Sequence, residues 1–68
     1  MTFEELKEEA KKMGDTCHAE DIIHLYKHEL DITVYKYGTL SIIDEYGNDV
    51  CIGNRTPDQM LAIMKALQ

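Results

Sequence analysis

Two turn glycines, Gly38 and Gly47, constrain this chain more than any other feature. Each closes a three-residue segment, Lys36-Tyr37-Gly38 and Glu45-Tyr46-Gly47, between runs rich in β-branched and aliphatic residues. A hairpin loop of that length ends on a residue in the left-handed region, where glycine has no Cβ to clash. Loop length then fixes register. Tyr35 falls opposite Thr39, Val34 opposite Leu40, and Ile32 opposite Ile42. Across the second loop Asp44 meets Asn48, Ile42 meets Val50, and Leu40 meets Ile52. Both turns therefore place Ile32, Val34, Leu40, Ile42, Val50 and Ile52 on one face, and a slip of one residue would scatter them. Their agreement predicts an antiparallel meander centred on Ile32–Val34, Leu40–Ile42 and Val50–Ile52. The reverse face carries Asp31, Thr33, Tyr35, Thr39, Ser41, Ile43, Asp49 and Cys51. That mixed set reads as a solvated surface or, with hydroxyls beside an exposed aromatic, as a docking face.

Helices are expected at both ends. Thr56-Pro57-Asp58-Gln59 supplies an N-cap, a first-turn proline, an acid at the positive end of the dipole and the partner of a capping box. Met60, Ile63, Met64 and Leu67 follow at helical spacing, flanked by Leu61, as the stripe that covers the six-residue sheet face. The methionines read as core filler. Thr2-Phe3-Glu4-Glu5 repeats the capping box and opens a helix expected to stop at Gly14, with Phe3, Leu6, Ala10 and Met13 on its apolar side. Glu8 is spaced to pair with Lys12. Asp15 to Glu20 reads as a connection, and Ala19 to Leu30 as helix in preference to strand. As a helix it sets Ile22, Ile23, Tyr26 and Leu30 against Glu20, His24, Lys27 and His28. The abrupt passage into Asp31, with no glycine or proline, speaks for the strand. The expected architecture is thus α+β: a three-stranded antiparallel meander, an N-terminal helical segment and a C-terminal helix packed on one face, in one domain spanning 1–68.

Charge and size bound the function. With a formal charge of −6 and no basic cluster, direct nucleic-acid binding is disfavoured, whereas a basic protein surface is a natural partner. At 68 residues the chain stands near the lower limit for folding without a staple, so apolar burial against a second copy or a partner would add stability. It opens on a capped helix, so neither a signal peptide nor a membrane span is expected. Cys17 and Cys51 are too few for a disulfide framework, which makes a reducing cytoplasm the expected setting.

Catalysis is not expected, and no cofactor is. A nucleophile with a positioned histidine and a third orienting group is missing, as is a glycine-rich phosphate cradle. Cys17, His18, His24 and His28 form the one metal-like set, in which His24 and His28 at i and i+4 of a helix would share a face and Cys17 could supply a third ligand. Glu20, His24 and His28 equally make the polar stripe of an amphipathic helix. Asp31, Asp44, Glu45 and Asp49 gather at one end of the meander as a solvated turn, a charged docking patch or a hard-cation site.

The order helix, three-stranded meander, helix resembles a double-stranded-RNA-binding domain. That family grips phosphate through a lysine-rich run opening its last helix. Here Gly53-Asn54-Arg55-Thr56-Pro57-Asp58-Gln59 has one arginine and an added carboxylate, so the likeness implies topology and not RNA contact. The run Asp44-Glu45-Tyr46-Gly47-Asn48-Asp49-Val50, followed by a strand and a terminal amphipathic helix, resembles small acidic phage-encoded anti-CRISPR inhibitors of the type II effector nuclease. That resemblance implies carboxylates standing in for phosphates on a basic protein surface. Asp31, Asp44, Glu45 and Asp49 would contact the partner, with Glu4, Glu5, Glu8 and Glu9 extending the field, and Tyr35 on the docking face is a further candidate contact. The expectation is a non-catalytic protein-binding module of this anionic kind. Its alternatives are a homodimeric module joined through the Tyr35/Thr33/Ile43 face or an open strand edge, and a small zinc-binding factor.

Overall fold

The computed structural model describes residues 1–67, the side chains of residues 15–18 excepted. Its elements are α1 (Phe3–Lys11), β1 (Asp15–His18), β2 (Ile22–Lys27), β3 (Leu30–Tyr35), β4 (Leu40–Ile43), β5 (Asp49–Ile52) and α2 (Pro57–Ala66). The strands form one antiparallel sheet in chain order, so the expected three-stranded meander is the C-terminal part of a five-stranded one.

Both glycine loops behave as their length requires. The Tyr35 N–H donates to Thr39 at 2.8 Å and Gly38 N–H to Tyr35 at 3.1 Å; Asp44 and Gly47 repeat the pattern with Asn48 and Asp44 at 3.0 and 3.1 Å. Gly38 and Gly47 have φ of 98° and 85°. Ile32 pairs with Ile42, Val34 with Leu40, Ile42 with Val50 and Leu40 with Ile52, as the loop arithmetic demands.

The segment Ala19 to Leu30 is not a helix. Ile22–Lys27 is β2, paired with β3 from Ile22↔Tyr35 to Lys27↔Leu30, and the supposed connection before it contains β1. The reason lies in the turn between β2 and β3. His28 and Glu29 have φ of 53° and 62°, the backbone of a tight two-residue hairpin that asparagine and glycine usually supply. The strand then sends Ile23 and Leu25 to the core and leaves Ile22, His24 and Tyr26 on the other side.

Both helices cover the same face. Phe3, Leu6, Ala10 and Met13 from the α1 segment meet Met60 and Met64 from α2 over Ile23, Leu25, Ile32, Val34 and Leu40, all buried. At roughly 1.5–3 kcal/mol per aliphatic side chain, this cluster holds the layers together. Ile42 and Ile52 are half-buried at its margin, and Leu61, Ile63 and Leu67 flank it. Val50 departs from expectation: it lies in register with the inward face but is 55% exposed, because the helical layer stops short of β5.

Thr2 and Thr56 each close a capping box, with Glu5 and Gln59 respectively. α1 ends at Lys11, before Gly14, and its ion pairs run three apart: Glu8 pairs with Lys11 at 3.2 Å and Glu9 with Lys12 at 3.3 Å, in place of Glu8 with Lys12. Lys27 Nζ donates to the Met13 carbonyl, tying the end of α1 to the end of β2.

Candidate functional site

Alternation and register define the face that no helix covers. One row across it reads Tyr26, Asp31, Ile43, Asp49; the next reads His24, Thr33, Ser41, Cys51; a third begins Ile22, Tyr35. Tyr26, Tyr35 and Ile43 are 55%, 38% and 37% exposed, so the face is amphipathic and open to solvent. Tyr35 is therefore where the sequence places it. Tyr26 and Ile22 were missed, since reading Ala19 to Leu30 as helix hid them.

Polar contacts organise this surface. His24 Nε2 is hydrogen-bonded to Asp31 Oδ1 across the β2–β3 pair. Ser41 Oγ donates to Asp49 Oδ1 at 3.1 Å, and Cys51 Sγ lies 3.8 Å from the same oxygen. Each carboxylate of the face is thus engaged by a neighbour on the adjoining strand or, for Cys51, along β5.

The acidic end is larger than expected. Asp31, Asp44, Glu45 and Asp49 do lie at one end of the sheet, and the unforeseen β2–β3 turn adds Glu29. The carboxyl of Glu29 is pushed above the usual range by its hydrogen bond to Glu45, which brings together the tips of two hairpins. Asp44 is different. Its oxygens accept from the N–H groups of Tyr46 and Asn48 at 2.9 Å and from Asn48 Nδ2 at 2.9 Å. Hydrogen bonds from the Asn48 side chain and backbone, with those of the turn, hold its carboxyl below the usual range. Asp44 is consumed in shaping its own loop.

The helix glutamates are placed elsewhere. The Arg55 N–H donates to Gly38, so α2 begins at the opposite end of the sheet from Glu45, and the Met1 amino group 3.0 Å from Asp58 puts the start of α1 there too. Glu5 is held by its capping box, which lowers its carboxyl pKa through the backbone and hydroxyl of Thr2. Glu4 pairs with Lys7 at 3.5 Å, and Glu8 and Glu9 with their own lysines. Glu4 and Glu5 thus stand at the opposite end from the acidic turns, while Glu8 and Glu9 are engaged in ion pairs on the half of α1 that runs toward the end of β2.

The proposed histidine pair loses its premise. His24 belongs to the uncovered face of β2 and His28 to the turn beyond it, so they do not stack along a helix. Cys17 pairs with His24 in the backbone register, but its side chain lies outside the described ones. No group of three or more metal-ligating side chains forms among the described residues. No cavity opens among them either, and no helix is long and apolar enough to cross a membrane. Comparison with family models, with curated proteins and with solved structures finds no match.

Proposed function

We propose that the chain is a non-catalytic protein-binding module that offers the acidic end of its uncovered sheet face to a basic protein surface. The observation that supports this most is the gathering of Glu29, Asp31, Glu45 and Asp49 at one end of the sheet. The tips of two hairpins contribute Glu29 and Glu45, and neither has a lysine or arginine partner among the described residues. Such an arrangement raises the free energy of the isolated chain and is relieved when a positively charged surface arrives. Tyr26 and Ile43, in the same row as Asp31 and Asp49, adjoin the charges and supply apolar contact area, while Tyr35 lies at the far end of the same face. On its finer reading the module is an inhibitor of the anti-CRISPR kind, in which Glu29, Asp31, Glu45 and Asp49 imitate nucleic-acid charge.

Capture of partners from the native host by the immobilised chain tests this. The captured protein elutes with heparin, which competes for a surface that reads polyanions. Its association rate falls about tenfold or more between low and physiological salt, as steering by charge requires. Glu29→Gln/Glu45→Gln weakens capture while leaving the fold intact. Capture indifferent to salt, heparin and that double substitution overturns the reading.

A further inference from the structure

The β5 edge of the sheet is bare: β5 is bonded to β4 alone, and Asp49, Val50 and Cys51 are all exposed. The phase of its hydrogen bonding follows from the second loop, where Asp44 N–H donates to the Asn48 carbonyl. Bonded and non-bonded positions alternate along an antiparallel pair. Val50 and Ile52 therefore turn their main-chain groups toward β4, while Asp49 and Cys51 turn theirs outward. Natural edges are usually blunted by lysine, proline, a bulge or a charge at an inward-pointing position. β5 has neither lysine nor proline, pairs with β4 without interruption, and carries Val50 at the inward-pointing position. That valine faces the helix-bearing side of the sheet with nothing over it.

We propose that β5 pairs with β5 of a second copy of this chain, antiparallel about a twofold axis through Val50, joining the two sheets into one. The inference does not depend on the reading of the acidic end as a partner site, although it draws on Glu45 and Asp49 of that end, and its readouts are mass and amide exchange of the chain alone. The outward-turned groups fit this register: Asp49 of each copy exchanges main-chain bonds with Cys51 of the other. Val50 then meets its twin in a non-bonded pair, where side chains approach most closely. The same axis brings the end of β5 that leads to Arg55 toward the turn of the second copy that holds Glu45. Arg55 has no carboxylate partner among the described residues, so the contact supplies complementary charge where two chains of −6 would otherwise repel. The uncovered face stays open in the dimer.

The test follows the intact chain from about 10 μM to about 1 mM, the range suited to an interface this small. Sedimentation reads the mass, and NMR reads amide exchange residue by residue. The expected result is reversible dimerisation in which the Asp49 and Cys51 amides slow about tenfold at the top of the series while those of Val50 and Ile52 do not change. Val50→Lys abolishes the dimer without altering the circular dichroism spectrum. Arg55→Glu weakens it, and the exchange Arg55→Glu/Glu45→Arg restores it. A chain that stays monomeric throughout overturns the proposal. So does a dimer that survives Val50→Lys, or one that leaves the Asp49 and Cys51 amides unprotected.

Discussion

Alanine at Gly38 and at Gly47 separates two costs that a turn glycine can conceal. At Gly47, with φ of 85°, an added Cβ meets nothing within 4 Å. Only the left-handed backbone penalty of about 1–2 kcal/mol applies, offset by about 0.4–1 kcal/mol from reduced freedom of the unfolded chain. The net loss is about 1 kcal/mol. At Gly38, with φ of 98°, the Cβ would stand 2.6 Å from the Arg55 carbonyl oxygen and 3.3 Å from its nitrogen. The Gly38 carbonyl also accepts the Arg55 N–H at 3.0 Å. Relief of the clash moves backbone that leads directly into α2, so that bond, worth about 1 kcal/mol, is lost along with local fit. The two terms together come to about 2 kcal/mol, to which the lost fit adds, against about 1 kcal/mol at Gly47. For a domain of this length about 1 kcal/mol lowers Tm by about 4–8 °C, so the two variants should be well resolved. Urea unfolding followed by circular dichroism, with the slope checked for constancy, measures both. Equal losses, or a greater loss at Gly47, would refute the idea that close approach of Arg55 fixes the first turn.

Leu40 and Val50 share a sheet face but not an environment, and truncation should tell them apart. Leu40→Ala is expected to cost about 2–5 kcal/mol and Val50→Ala less than about 0.5 kcal/mol in the same urea assay. Comparable losses would mean that the helical layer reaches β5 after all. Stability should also vary with pH in two opposed steps. Glu29 has a raised pKa, so the folded chain holds that proton more tightly than the unfolded one, and stability rises as pH falls toward the carboxyl range. Asp44 has a lowered pKa, so its contribution is complete above the usual carboxyl range and is lost as pH falls below it. Glu29→Gln should flatten the first limb and Asp44→Asn the second; an unchanged upper limb in Glu29→Gln would count against the Glu29–Glu45 contact.

The C-terminal half was legible because its punctuation is explicit. Gly38 and Gly47 announce loop length, loop length announces register, and Thr56-Pro57 announces a helix start. Nothing comparable marks the first half of the sheet. His28-Glu29 turns the chain with two side-chain-bearing residues at positive φ, so no glycine separates β2 from β3. Ile22 and Tyr26 add apolar character to the solvent side of β2, which blurs the alternation that Ile23 and Leu25 would otherwise display. β1, Asp-Thr-Cys-His, has no aliphatic residue to signal a strand. The acidic end was consequently read without Glu29, whose place depends on that hidden turn. Exposure of Val50 was not legible either, since it is set by where the helices end and not by the pattern of the strand.

The chain order of the strands has a kinetic consequence. Each strand pairs only with its neighbours in sequence, so the sheet can zip through short loop closures, the kind of local topology associated with rapid folding. α1 and α2 are the exception, meeting through Leu6, Met60 and Met64 from opposite ends of the chain. That docking is the one step that must bridge nearly the whole contour. Coupling between the two ends of the chain rests on it, and a perturbation that loosens either helix should expose the sheet as a slack, partly formed ribbon before the rest of the molecule melts.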